Sequence, residues 1–239
     1  ITNAGQIVGA TYGVFASAVS TITNSGTIAS GTVSGAAITL AGFDAIYLAS
    51  GGTVTNQAGG ALTGQRIGVL TGGGSALTLD NAGIISGNSF GAVYVQGGAT
   101  ITNQSGGVIN GLGTAVGIYA AGAATITNAG LIDASSGASS RAAVRLNNGG
   151  TITNSGTITA TGWGVLFSGA TTPVVLDNQA GGTITGANLN AVYIGSGSGA
   201  SVLNAGTLIG GNAAIYGDGT NASITNYGLI RITGGANNS

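Results

Sequence analysis

Five Asp, four Arg and the hydroxyls of Ser, Thr and Tyr are the only side chains with reactive chemistry in these 239 residues; Cys, His, Met, Lys and Glu are absent. General acid–base catalysis draws mostly on His, Glu or Lys, and thiolate nucleophiles or soft-metal sites need Cys or His. What remains is a carboxylate pair. Cleavage of a glycosidic bond needs two carboxyl groups within about 5–10 Å of each other. Asp80 and Asp177 each precede an Asn in the same slot of the repeat described below, four repeats apart. That is about 19 Å if each repeat is one strand spacing. Asp44, Asp133 and Asp218 fall at other points of the repeat. No pair is forced to converge, so the sequence reads as a non-enzyme without cofactor or metal. Calcium-binding rolls carry tandem Gly-rich Asp nonapeptides, whereas this chain has a lone Gly217-Asp218-Gly219. Gly72-Gly73-Gly74 lacks the Lys and the strand–loop–helix setting of a phosphate cradle.

Charge narrows the partners. A formal net charge of −1 with 4% charged residues provides no basic stripe for nucleic acid or for anionic lipid. Every apolar run is broken by Gly, Thr, Asn or Ser well short of 18 residues, so no transmembrane helix is expected and this segment does not insert into a membrane. The absence of Cys suits the cytosol and equally suits a chain exported unfolded across an envelope.

With 49 Gly and many Asn, Ser and Thr the composition resembles a disordered linker, but the periodicity does not. An apolar–polar–Asn triplet recurs at Asn3, Asn24, Asn56, Asn81, Asn103, Asn128, Asn154, Asn178, Asn204 and Asn226, with most intervals between 21 and 26 residues. Such a period predicts a solenoid. The exception, Asn24 to Asn56, is 32 residues long and carries an insertion over 30–42, expected as a loop bulging from one corner. Each period also holds a short β-branched and aromatic run, such as Ala92-Val93-Tyr94-Val95, and a third run, such as Thr157-Ile158. Three short strands per turn predict an all-β, right-handed parallel β-helix of about ten rungs, forming one domain over 1–239.

Alternation sets the sides. Ile22, Val54, Ile101, Ile126, Ile152 and Ile224 point inward, and the flanking Thr outward, which gives the Asn an inward parity. A buried Asn amide is costly unless satisfied, so the ten Asn are predicted to stack as a ladder, each bonding the next. Gly two residues after the Asn is expected to supply a positive φ at a sharp corner. Three corners are longer by two residues: Asn56–Gly60, Asn103–Gly107 and Asn178–Gly182. Arg145 occupies the Tyr slot of its strand and marks that column as outward. The outward aromatics, Phe15, Tyr47, Tyr94, Tyr119, Tyr193 and Tyr216, form a candidate platform for sugar rings or a stack that stabilises its own strands; Trp163 and Phe167 make the most sugar-like patch.

The Ile-Thr-Asn-Ser-Gly-Thr-Ile blocks at 22–28 and 152–158 make the chain resemble passenger regions of bacterial autotransporters and related large surface adhesins. The resemblance covers nearly the whole chain. It implies export across a Gram-negative envelope and display outside the cell as a stalk or adhesive rod, with a glycan or host surface as partner. Because the pattern opens within a repeat at Ile1-Thr2-Asn3, the chain is expected to be a piece of a longer secreted protein. Other roles follow from other features. Few charges and open strand edges suit end-to-end or lateral self-association into a filament, sheath or surface layer. Outward Thr-x-Thr ranks suit ice binding, and a β-helix of this kind also suits polysaccharide binding or degradation.

Overall fold

The computed structural model describes residues 1–34, 37–40, 42–136, 141–169, 172–195, 199–218 and 221–234. Each turn of chain lays down one strand on each of three parallel sheets, and the turns stack into a right-handed β-solenoid. The first sheet has ten strands, from Thr2–Asn3 to Ala222–Asn226; the second has ten along the rod, from Gln6–Gly9 to Leu229–Ile232; the third has nine, from Tyr12–Ala16 to Ala213–Gly217. No helix occurs among the described residues.

Register is held on the first sheet despite the uneven rung lengths, because every length difference falls in a corner. Thr100-Ile101-Thr102-Asn103 lies residue for residue beside Thr125-Ile126-Thr127-Asn128, and that block beside Thr151-Ile152-Thr153-Asn154. The alternating side chains then line up by type. Ile101, Ile109 and Ile118, one from each sheet of a single rung, belong to one continuous core and are fully buried, each contributing about 2 kcal/mol.

The ten Asn form the expected ladder. From Asn3 to Asn226, each Nδ2 donates to the Oδ1 of the next rung's Asn at 2.7 to 2.9 Å. The ladder also runs through the rungs whose triplet departs from Ile-Thr-Asn. Asn81, in Leu79-Asp80-Asn81, accepts from Asn56 and donates to Asn103. Asn204, in Val202-Leu203-Asn204, accepts from Asn178 and donates to Asn226. Both are fully buried, so the inward Asn holds its place while the outward residue before it varies. The same nitrogen also reaches backbone carbonyls at its own corner and in the next rung: Asn128 Nδ2 lies 3.2 Å from both Gly130 O and Thr157 O. The ladder thus ties the corner of every rung to the one above it.

One expectation about corners is corrected. Gly83, like the other short-corner glycines, lies outside the positive-φ region. It is glycine because a Cβ there would sit 2.2 Å from Gly60 O and 2.6 Å from Gln57 O of the preceding corner. Close stacking therefore selects glycine at the short corners; backbone handedness selects it only at the long ones, where Gly59, Gly106 and Gly181 have φ of 84 to 86°. Within the insertion over 30–42, expected as a loop, the described strand residues are paired. The second-sheet strand extends to Thr27–Ser34 and its end pairs antiparallel with Ala37–Leu40, Gly31 opposite Leu40 and Ser34 opposite Ala37.

Candidate functional site

The third sheet carries the side chains that sequence reasoning selected. Between its two end strands, each strand buries its third and fifth residues and turns the fourth outward, as in Gly91-Ala92-Val93-Tyr94-Val95. Counted by register, the outward column reads Phe15, Tyr47, Leu70, Tyr94, Tyr119, Arg145, Leu166, Tyr193, Tyr216. Leu70, Arg145 and Leu166 divide the aromatics into three groups. Near the start of the chain, Tyr12, Phe15, Phe43 and Tyr47 pack with ring centroids 5.4 to 6.1 Å apart. In the middle, Tyr94 and Tyr119 stack at 4.3 Å with 19° between their planes. In the third group, Tyr193 stacks on Tyr216 at 5.4 Å and meets the edge of Trp163 at 6.2 Å.

Phe167 does not belong to this surface. It aligns with Leu146 and Ile194 at the inward fifth position and is fully buried in the core. The proposed Trp163–Phe167 patch is therefore split by the sheet: Trp163 faces the third aromatic group, and Phe167 fills the interior opposite it.

Beside the first group, Asp44 is fully buried and receives a bidentate pair from Arg66, Nε to Oδ1 at 2.9 Å and Nη2 to Oδ2 at 2.7 Å. The guanidinium also lies 4.9 Å from the centre of the Phe43 ring. Hydrogen bonding to Asp44 raises the Arg66 pKa further above its ordinary value, so this cation stays charged and committed.

The middle group borders a cleft of about 400 Å³ lined by Ser89, Phe90, Tyr94, Thr114, Val116, Tyr119, Arg141 and Arg145. Three successive rungs build it. The fourth-position column supplies Tyr94, Tyr119 and Arg145, while the turns leading into the same strands supply Phe90, Thr114 and Arg141. Asn147 organises one wall: its Nδ2 donates to Tyr119 Oη at 2.7 Å, and its Oδ1 accepts from Arg145 Nε at 3.0 Å and from Ser168 Oγ at 2.6 Å. Neither Arg141 nor Arg145 forms an ion pair among the described residues. Burial, with Tyr119 alongside, raises the Tyr94 pKa, which keeps this phenol neutral. The third aromatic group borders a second cleft of about 310 Å³ with the opposite charge character. There Tyr193 Oη donates to Asp218 Oδ2, and this bond raises the Tyr193 pKa.

Elsewhere the sequence candidates stay apart. Asp80 and Asp177 share one outward column of the first sheet, four strands from each other; each accepts from a Gln side chain, Gln104 at 2.6 Å and Gln179 at 3.4 Å. The adjoining column aligns Thr21, Thr53, Thr78, Thr100, Thr125 and Thr151 and is then broken by Val175. Its partner column is interrupted by Asp80, Asp177 and Leu203.

Sequence reasoning missed Phe90, Thr114 and Arg141 because they lie in turns, where the repeat pattern is silent. Arg141 carried one usable signal, being one of only four cations in the chain and four residues from another. The chain matches no protein-family model, no curated protein and no solved structure.

Proposed function

We propose that this chain is a non-catalytic extracellular rod, the stalk or passenger segment of a bacterial surface adhesin. The observation that carries this reading is the unbroken three-sheet stack tied by a continuous Asn ladder. At about 4.8 Å per strand, ten rungs make a rod roughly 45 Å long. Each rung contacts only its neighbours, so such a stack lengthens by repetition, which is what a spacer needs. The composition supports export: with no Cys, no disulfide can form before the chain has crossed an envelope, and rung-by-rung stacking suits a chain that emerges progressively.

The test is immunogold labelling of intact, unpermeabilised cells with antibody to this segment, together with electron microscopy of the purified chain over a concentration series. The reading expects surface label and dispersed rods. Label confined to permeabilised cells overturns the location, and ordered filaments without ligand overturn the spacer role in favour of a structural polymer.

A further inference from the structure

The middle cleft of the third sheet combines features that a spacer has no use for. Three of the chain's four Arg lie on this face. Arg66 is spent on Asp44, but Arg141 and Arg145 stand at one end of the cleft without a carboxylate partner among the described residues. At the other end Phe90 is 57% exposed, and Val116 lines the apolar part of the trough. An exposed Phe and uncompensated cations in one concavity both leave favourable interactions unused.

The polar groups between these ends are set for a polyol. Ser89 Oγ donates to Gln65 O, and Thr114 Oγ1 donates to Ser89 O, so both hydroxyls present only lone pairs to the cleft. Tyr119 Oη accepts from Asn147 and pairs with the Tyr94 hydroxyl, so the two phenols together keep one proton to donate into the cleft. Arg145 spends its Nε on Asn147 Oδ1, and its terminal N–H groups remain for a planar anion. The guanidinium is also held 5.8 Å from the centre of the Tyr119 ring, so its direction is set before any ligand arrives. Two strand spacings, about 10 Å, separate the Tyr94 and Arg145 levels. The volume of about 400 Å³ lies in the range of small-ligand sites, roughly 300–1,000 Å³.

We propose that this cleft binds an acidic sugar, a pyranose bearing a carboxylate: Arg145 and Arg141 take the carboxylate, Phe90 and Val116 take the apolar C–H face, and Ser89, Thr114 and Tyr119 take the ring hydroxyls. Asn147 is a positioning residue that aims Arg145 and Tyr119. The proposal goes beyond the rod reading and does not depend on it, because binding is measured on the isolated chain, whereas the rod reading is decided by particle shape and cell labelling.

The experiment is calorimetric titration of the purified chain at low ionic strength with tetragalacturonate, and with its methyl ester, which keeps the sugar and removes the charge. The expected result is saturable binding of the acid and at least tenfold weaker binding of the ester. Arg145→Gln and Arg141→Gln each weaken acid binding about tenfold or more, as loss of a charged hydrogen-bonded contact implies. Arg231→Gln, on the second sheet, leaves binding unchanged and controls for general charge. Arg141 is exposed, so its replacement tests the cleft without touching the core, and unchanged thermal unfolding of both variants shows that the fold persists. Absence of saturable binding of the acid, equal binding of acid and ester, or an equal loss on Arg231→Gln overturns the proposal.

Discussion

Replacing Asn128 by Ala tests whether the Asn ladder is a cooperative support of the fold. Asn128 is fully buried at mid-rod, accepts from Asn103 Nδ2 at 2.8 Å and donates to Asn154 Oδ1 at 2.8 Å. The truncation leaves the buried Asn154 Oδ1 without its donor, at about 1–3 kcal/mol, and removes one acceptor from Asn103 Nδ2, which keeps Gly107 O and Leu131 O, at up to about 1 kcal/mol more. The expected loss is therefore roughly 1–4 kcal/mol, a sizeable share of the roughly 5–15 kcal/mol typical of a folded domain. Asn226 is exposed in the last rung, where water replaces the lost bonds, so Asn226→Ala is expected to cost under about 1 kcal/mol. Asn128→Asp adds a check on charge. The introduced carboxylate cannot donate to Asn154 Oδ1, and burial favours its neutral form in the folded state. The folded chain then holds that proton more tightly than the unfolded chain, so stability falls as pH rises above the unfolded value of about 4 and is recovered as pH drops toward it. Urea unfolding followed by circular dichroism at neutral and acidic pH measures all three variants. Equal losses for Asn128→Ala and Asn226→Ala, or a pH-independent Asn128→Asp, would refute the ladder's role.

Other perturbations separate packing from surface. Phe167→Ala is expected to cost about 3–5 kcal/mol because the ring fills the core, whereas Phe15→Ala, at a ring that is 54% exposed, should cost under about 1 kcal/mol; urea midpoints compare them. Arg66→Ala strands the fully buried Asp44 carboxylate and is expected to cost about 3–5 kcal/mol. Adding Asp44→Asn should restore much of this loss, which a double-mutant cycle reads directly. Gly83→Ala forces the corners apart, since its Cβ would meet Gly60 O at 2.2 Å; a loss above about 2 kcal/mol is expected in thermal unfolding. Gly59→Ala, with open space but φ of +84°, should cost about 1 kcal/mol.

The rung period, the three strands per rung, the Asn ladder and the inward Ile and Val columns are all legible in the linear sequence. They depend on periods of two and of about 25 residues, and in a parallel solenoid a period in sequence becomes a neighbour in space. The same logic already places Phe167 inside. In Gly13-Val14-Phe15 the outward slot lies two residues after the glycine, and in Gly164-Val165-Leu166-Phe167 that slot holds Leu166. Residue type suggests a surface aromatic where position indicates the core.

Other features were decided only by stacking. The short-corner glycines are required by a carbonyl of the preceding rung, a contact between residues more than 20 positions apart such as Gly83 and Gly60. The division of the aromatics by Leu70, Arg145 and Leu166 emerges once the rungs are laid in register. The middle cleft draws Phe90, Thr114 and Arg141 from turns of different length on three rungs, and no repeat aligns those turns. Sequence by itself therefore determined what recurs, because backbone pairing forces equivalent residues into columns. Tertiary structure decided what does not recur, because a site built from unequal turns exists only where neighbouring rungs bring them side by side.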